Sequence, residues 1–202
     1  MNVPESIREE EDFQKCVEFH GHTCMGVTIG YMAAKLGLRL LRQDRSVDEE
    51  LITIVENDAC CCDAIQILTG CTFGKGNFFF KDYGKMAFTF GSRTTGEAVR
   101  LVLKPEVFNA PAEEQQLLEL IRSGKASRQE IQLYERMSEE RETSLFAGWP
   151  DSFFDVERIT LSLPPRATRV PSLPCAVCGE MVMETKLIEV GGQKICRGCE
   201  EG

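Results

Sequence analysis

Two closely spaced cysteine pairs near the end of the chain constrain its folding most. They are Cys175 and Cys178 in Cys-Ala-Val-Cys-Gly, and Cys196 and Cys199 in Cys-Arg-Gly-Cys. Each pair sets two thiolates on one tight turn, and the 17 residues between the pairs fall in the window that reads as a tetrahedral zinc site. Gly179 follows the first pair, where such a turn needs positive φ, and Gly198 sits inside the second. Residues 181–190 can form a short hairpin closed by Gly191-Gly192. So short a segment buries too little apolar surface to fold unaided, so metal would supply the folding free energy. Four protein ligands leave no position for chemistry, which makes this zinc structural. The alternative is four free thiols on a disordered tail.

The pairs account for four of ten cysteines, and the other six lie with both histidines in the first 71 residues. The chain of 202 residues is long enough for one medium domain and a small appendage. No apolar run reaches the length of a membrane span, and the N-terminal residues read as no secretory signal. That combination predicts a cytoplasmic protein whose thiols are reduced and used for metal or redox chemistry. A net charge of −9, with 23 basic residues scattered among 32 acidic ones, argues against nucleic-acid binding.

The pattern along the chain predicts an α+β fold, with a mixed or antiparallel sheet packed with helices and a C-terminal zinc finger of ribbon or treble-clef kind. Residues 11–19 read as a short helix with Phe13, Cys16, Val17 and His20 on one face. A second helix from about Gly26 to Leu41 carries small residues, Gly30, Ala33, Ala34 and Gly37, that would let another element approach its backbone. Leu51–Glu56 reads as a buried strand, and Asn57 or Asp58 as N-cap of a helix ending near Gly70. On that helix Cys61, Ile65 and Leu68 share one face and Cys60 and Asp63 another.

Residues 78–80 and 85–90 suggest a hairpin across Lys81-Asp82-Tyr83-Gly84, followed by a strand over 98–104. Helices over 111–123 and 127–140 should face inward through Leu117, Leu118 and Ile121, and through Ile131, Tyr134 and Met137. A last strand should lie near 153–159. Four prolines between Leu163 and Pro174 cannot join a helix or a central strand. The domains then read as a core over 1–160, a linker over 161–174 and a finger over 175–202.

His20, His22 and Cys24 fall within five residues, and Cys24 and Cys60 each stand at a predicted helix start, where the helix dipole favours the thiolate. Cys71 follows the end of the third helix. Successive helical residues point ~100° apart, so Cys60, Cys61 and Cys62 cannot all reach one ion. Cys60 should face a site with Asp63 beside it, Cys61 should pack in the core with Ile65 and Leu68, and Cys62 has no assigned role. Cys16 reads as a buried apolar residue. The segment Gly70-Cys-Thr-Phe-Gly-Lys-Gly-Asn77 is not a P-loop, because Gly76 follows the lysine and the spacing is one residue short. Its glycines could still turn backbone N–H groups, with Lys75, toward an anion, or could form only a turn into the next strand.

Four ordered blocks, Phe19-His-Gly-His-Thr-Cys-Met-Gly26, Glu56-Asn-Asp-Ala-Cys-Cys-Cys-Asp-Ala-Ile-Gln66, Gly70-Cys-Thr-Phe-Gly-Lys-Gly-Asn77 and Asp82-Tyr-Gly-Lys85, resemble the signature of the FmdE family of formylmethanofuran dehydrogenase. The resemblance spans about residues 10–160, and an auxiliary treble-clef finger also fits it. It implies association with the subunits of a molybdenum or tungsten dehydrogenase of methanogenesis, and a core that holds a metal or serves as a catalytic pocket. Carried over by motif, the candidates for a second transition metal are His20, His22, Cys24, Cys60 and Cys71, with Lys75 beside them. Two departures stand out: Met25 replaces the family's usual proline, and Cys61 and Cys62 replace small or apolar residues. Three uses follow. The protein is a metal-binding accessory subunit; or a stand-alone enzyme, metal- or thiol-dependent, using Cys24 or Cys60 with His22 as base and Lys75 as charge stabiliser; or a structural module whose core forms a homodimer.

Overall fold

The protein is described by a computed structural model covering residues 7–108, 110–146, 150–160 and 162–201. The chain divides into two compact units, Met1–Arg166 and Ala167–Gly202. The first contains, in order, α1 (Glu11–His20), α2 (Met25–Leu41), β1 (Leu51–Val55), α3 (Cys61–Thr69), β2 (Phe78–Phe80), β3 (Ala87–Ser92), β4 (Ala98–Leu103), α4 (Ala112–Arg122), α5 (Arg128–Phe146), α6 (Pro150–Phe153) and β5 (Phe154–Ile159). The architecture is α+β, with one five-stranded mixed sheet in the order β2-β1-β3-β4-β5.

The most buried helix is α2. Val27, Ile29, Tyr31, Met32, Ala33, Ala34, Leu36 and Leu41 are all sequestered, in keeping with a segment that is apolar on nearly every side. It packs into one core with Phe13 and Cys16 of α1, Ile65 of α3, and Val55, Phe88 and Leu101 of the sheet. Its glycines set the distances. A Cβ on Gly30 would lie 2.2 Å from the Cys61 carbonyl oxygen, and one on Gly37 would lie 2.4 Å from the Phe90 ring. The helix therefore touches the backbone of α3 near its start and a β3 side chain near its end.

The hairpin expected over 78–90 does not form. β2 pairs in parallel with β1, while β3 pairs antiparallel with the other side of β1. The chain between them crosses the end of β1, held there as Lys81 N–H donates to Val55 O and Lys85 N–H to Glu56 O. Residues 81–84 are therefore a crossover and not a two-strand turn. Asn57 and Asp58 are not the cap of α3 either; Cys60 takes that position. Asn57 instead accepts the Ala59 N–H through Oδ1 and donates Nδ2 to Lys85 O, fixing the turn that leads to Cys60. The fifth helix runs on to Phe146, and Ile131, expected inward, is exposed.

The second unit has β6 (Ser172–Pro174) paired antiparallel with β7 (Met181–Met183), then β8 (Ile188–Val190) paired with β9 (Gln193–Ile195), then α7 (Arg197–Glu201). The end of the proline-rich stretch thus forms a short edge strand, a place where missing N–H groups cost nothing. Among the described residues no helix is long and apolar enough to cross a membrane.

Gly30→Ala should destabilise the first unit by about 2 kcal/mol or more, because the new methyl meets backbone and not a movable side-chain tip. Gly74→Ala, with open space around it, should change little. Urea unfolding of the two variants compares them directly; equal midpoints would show that α2 and α3 are not in backbone contact.

Candidate metal centres

Three elements end at one place in the first unit. α1 stops when Gly21 takes a left-handed conformation (φ 96°) and donates its N–H to Val17 O, which leaves His20 in the last turn. α2 starts at Cys24, an extended residue (φ −152°, ψ 163°) whose carbonyl accepts from Thr28. α3 starts at Cys60. The two helix starts abut because position 26 lacks a side chain: a Cβ there would come within 2.8 Å of the Cys60 Cβ.

As a result a ring nitrogen of His20 and the sulfurs of Cys24 and Cys60 all lie within 4.8 Å of one another. His20 Nδ1 is 2.7 Å from Asp63 Oδ2, one turn into α3. Its Nε2 is therefore the free nitrogen, and it faces Cys24 Sγ at 3.8 Å. Around a tetrahedral zinc, bonds of ~2.3 Å to sulfur and ~2.05 Å to nitrogen put S and N about 3.6 Å apart. The observed spacing fits with little movement. Asp63 supplies the carboxylate that fixes the tautomer and orientation of a ligating imidazole.

Electrostatics point the same way. Burial raises the Cys24 thiol above its ordinary range; N–H groups of Val27 and Gly26 oppose this, and the neighbouring Cys60 sulfur adds to it. Two adjacent thiolates become favourable only when a cation neutralises them. Among the described residues the cluster offers three ligands, one short of a closed tetrahedral set, which is the pattern of sites that keep a position for water or substrate.

The other residues named from the sequence lie elsewhere. His22 is exposed, its ring 4.6 Å from that of His20, and it does not belong to the ligand group. Cys71 is fully buried, its thiol pushed up by that burial. It follows the end of α3, so the nine-residue helix separates it from Cys60 by about 14 Å of rise. Lys75 donates to the carbonyls of Val47 and Asp48, before the start of β1, whereas the cluster lies beyond its end. The glycine-rich loop is a turn: Gly76 N–H bonds Phe73 O, Lys75 N–H bonds Thr72 Oγ1, and Thr72 N–H bonds Asn77 Oδ1. Those amides are spent inside the loop.

Cys61 is buried in the core and donates its thiol to Asn57 Oδ1, and Cys62 donates to Asn57 O. Neither belongs to the His20 cluster. Asp63 stands beside Cys60 at the centre, as its place on the same helical face predicts; what the sequence did not mark is its bond to His20. Nor did the sequence mark Gly26 as the contact that admits Cys60.

In the second unit Cys175, Cys178, Cys196 and Cys199 form a four-sulfur group. The Cys175–Cys199 and Cys178–Cys196 sulfurs are each 3.9 Å apart, against about 3.8 Å along the edge of a tetrahedron with Zn–S bonds of ~2.3 Å. N–H groups of Cys178, Cys196 and Val177 converge on the Cys175 sulfur and lower its thiol from 9.0 to about 6. Cys199 is pushed up to about 12, chiefly because its proton is shared with the Cys196 and Cys178 sulfurs. One thiolate is thus ready-made, and a cation is what allows the rest to ionise.

The sequence and structure define a protein with two thiolate-rich candidate metal centres, one open and one closed. The family model described as "FmdE, Molybdenum formylmethanofuran dehydrogenase operon" matches residues 19–152, which include His20, Cys24 and Cys60. The chain belongs to the FmdE family. A probable S-adenosyl-L-methionine-binding protein of Archaeoglobus fulgidus is 30% identical over 183 residues, 84% of this chain and 48% of that protein. The chain spans about half the length of that relative. The crystal structure of a tungsten formylmethanofuran dehydrogenase FmdE-like protein from Syntrophus aciditrophicus superposes with a TM-score of 0.63 and 24% identity, covering 99% of this chain and 97% of that one, and shows the same fold.

Asp63→Ala should weaken metal binding at the core centre by roughly 10- to 100-fold and leave the four-cysteine group unaffected. Competition of Co²⁺-loaded protein with a chelator measures both; equal loss at the two centres would contradict the role given to Asp63. In the finger, the preference of Cys175 for the thiolate is complete above the ordinary thiol range and is lost as pH falls through about 6. A bound cation adds to that preference, so metal followed with a chromogenic chelator should stay on the finger at pH 7 and leave it only at a pH below the range of the metal-free Cys175 thiol.

Proposed function

We propose that this chain is a metal-binding accessory protein or subunit serving a molybdenum or tungsten dehydrogenase. Its core unit holds one transition metal, zinc or an ion of similar softness, through His20 Nε2, Cys24 Sγ and Cys60 Sγ. The C-terminal cysteines hold a second zinc whose role is structural. The observation that carries this reading is the convergence of one imidazole and two thiols, with a carboxylate already on the far nitrogen of the imidazole. Imidazole with thiolate suits borderline-soft ions over hard ones such as magnesium. The family description, and the likeness to a protein described as tungsten formylmethanofuran dehydrogenase FmdE-like, support the link to a dehydrogenase. All ten cysteines are free thiols, which fits a reducing cytoplasm.

A second reading, a stand-alone metal-dependent enzyme, is favoured by the incomplete ligand set. A zinc held by His20, Cys24 and Cys60 would supply Lewis acidity at its remaining position. His20, braced by Asp63, would hold its ring fixed during such chemistry. His22, exposed and beside His20, would accept a proton at its ring nitrogen. The thiol-nucleophile form of this reading is weakened, because Cys24 is raised and not lowered, and Lys75 lies too far away to steady a developing charge.

Elemental analysis of protein purified without chelator should find two metal ions per chain. Cys24→Ser with Cys60→Ser should retain one, and Cys175→Ser with Cys178→Ser should retain the other. Unchanged metal content in the first double variant would remove the core centre and with it the function proposed.

A further inference from the structure

Six cysteines lie in the first unit, and they are not equally placed. Cys16, Cys61 and Cys71 are fully buried. Cys62 is half-buried, and its thiol is taken by the Asn57 carbonyl. Cys24 and Cys60 are the other half-buried cysteines, and their sulfurs lie within 4.8 Å of each other. Each stands at the start of a helix, α2 or α3, and those starts abut at Gly26. A disulfide needs its sulfurs at about 2.05 Å and its Cβ atoms at roughly 3.8 Å. Closing the remaining gap calls for side-chain rotation on two helix starts that already touch, not for a new backbone path. Two partly exposed thiols so placed are also open to an oxidant as small as a peroxide.

The placement does not depend on an ion. Both cysteines pack against the apolar core built from Phe13 and Cys16 of α1, Val27 and Ile29 of α2, and Ala64 and Ile65 of α3. Emptying the core centre therefore leaves two thiols side by side. The four-cysteine group differs, because so small a unit draws its folding free energy from metal, and its thiols separate when the metal leaves. Oxidation in the core also removes what holds an ion. A disulfide carries no thiolate, so of the three ligands only His20 would remain. An ion and a disulfide are thus alternatives at one place.

We propose that Cys24 and Cys60 form a redox-active dithiol, which closes to a disulfide when the core centre is empty and is protected when an ion fills it. The protection rests on the metal reading given above. With a peroxide as oxidant, one sulfur attacks a peroxide oxygen; the O–O bond breaks, and one water leaves with the thiol proton. The second sulfur then attacks the sulfenic acid so formed; the S–S bond forms, the S–O bond breaks, and a second water leaves. Two electrons pass from the thiols to the peroxide, and a dithiol reductant returns them.

The test compares the full chain freed of metal by a chelator with the full chain reloaded with zinc. Each is treated with hydrogen peroxide, alkylated and mapped by tandem mass spectrometry. Metal-free protein should yield a Cys24–Cys60 cross-link that dithiothreitol reverses with recovery of zinc binding, and zinc should slow its formation at least tenfold. Cys24→Ser and Cys60→Ser should each abolish it, and the wild-type comparison carries the result if either variant folds poorly. Zinc uptake at the core with no Cys24–Cys60 cross-link in metal-free protein would overturn the proposal and leave the centre standing. A cross-link that forms as fast with zinc present would overturn the protection, and the core centre with it.

Discussion

The first unit depends on one close approach, that of the second and third helices where neither has room for another atom. Gly26 and Gly30 let the start of α3 lie directly on α2, with the Cys61 backbone inside the space a methyl would need. Both helices begin at this contact, so both present N–H groups and a capping cysteine to the same small volume. α1 ends beside them and contributes an imidazole. The centre is thus a by-product of helix packing; residues far apart in the chain become neighbours because two glycines remove what would separate them. The same geometry crowds two sulfurs in a partly buried place, which a cation would make favourable for thiolates.

The two candidate centres handle that problem differently. In the finger, backbone N–H groups already stabilise one thiolate, and four sulfurs stand at the spacing of a closed tetrahedron. In the core, three ligands come from three elements of a folded domain that does not need metal to gather its apolar residues. If both groups take up an ion, the finger would owe its fold to it, and the core would not.

Much of this was readable from the chain. The finger was visible in spacing alone, because four cysteines on two short turns admit few other uses. α1, α2, β1 and α3 followed from periodicity, and His20, Cys24 and Cys60 from motif and helix starts. Three things were not readable. β2 and β3 are adjacent in sequence and look like a hairpin, but β1 lies between them, a choice made by tertiary pairing and not by the short segment joining them. Cys71 and Lys75 sit in a family-like motif, yet α3 carries them to the opposite end of the sheet from Cys60. His22 is two residues from His20, but the left-handed turn at Gly21 sends only one of the pair into the cluster. Spacing along a chain constrains residues on one turn or one helix; it does not state at which end of a helix a distant loop will come to rest.

Strand β4 leaves the sheet at Leu103, and β5 returns opposite it at Phe154. The whole α4–α5 excursion is closed one residue further on, where the Lys104 N–H donates to the Phe153 carbonyl. A closed loop of this size loses only about 0.6 kcal/mol more chain entropy for each doubling of its length. Relatives could therefore lengthen, shorten or exchange this helical arm without shifting any strand, and diversity among them should collect there while the glycine contact near Cys60 stays fixed.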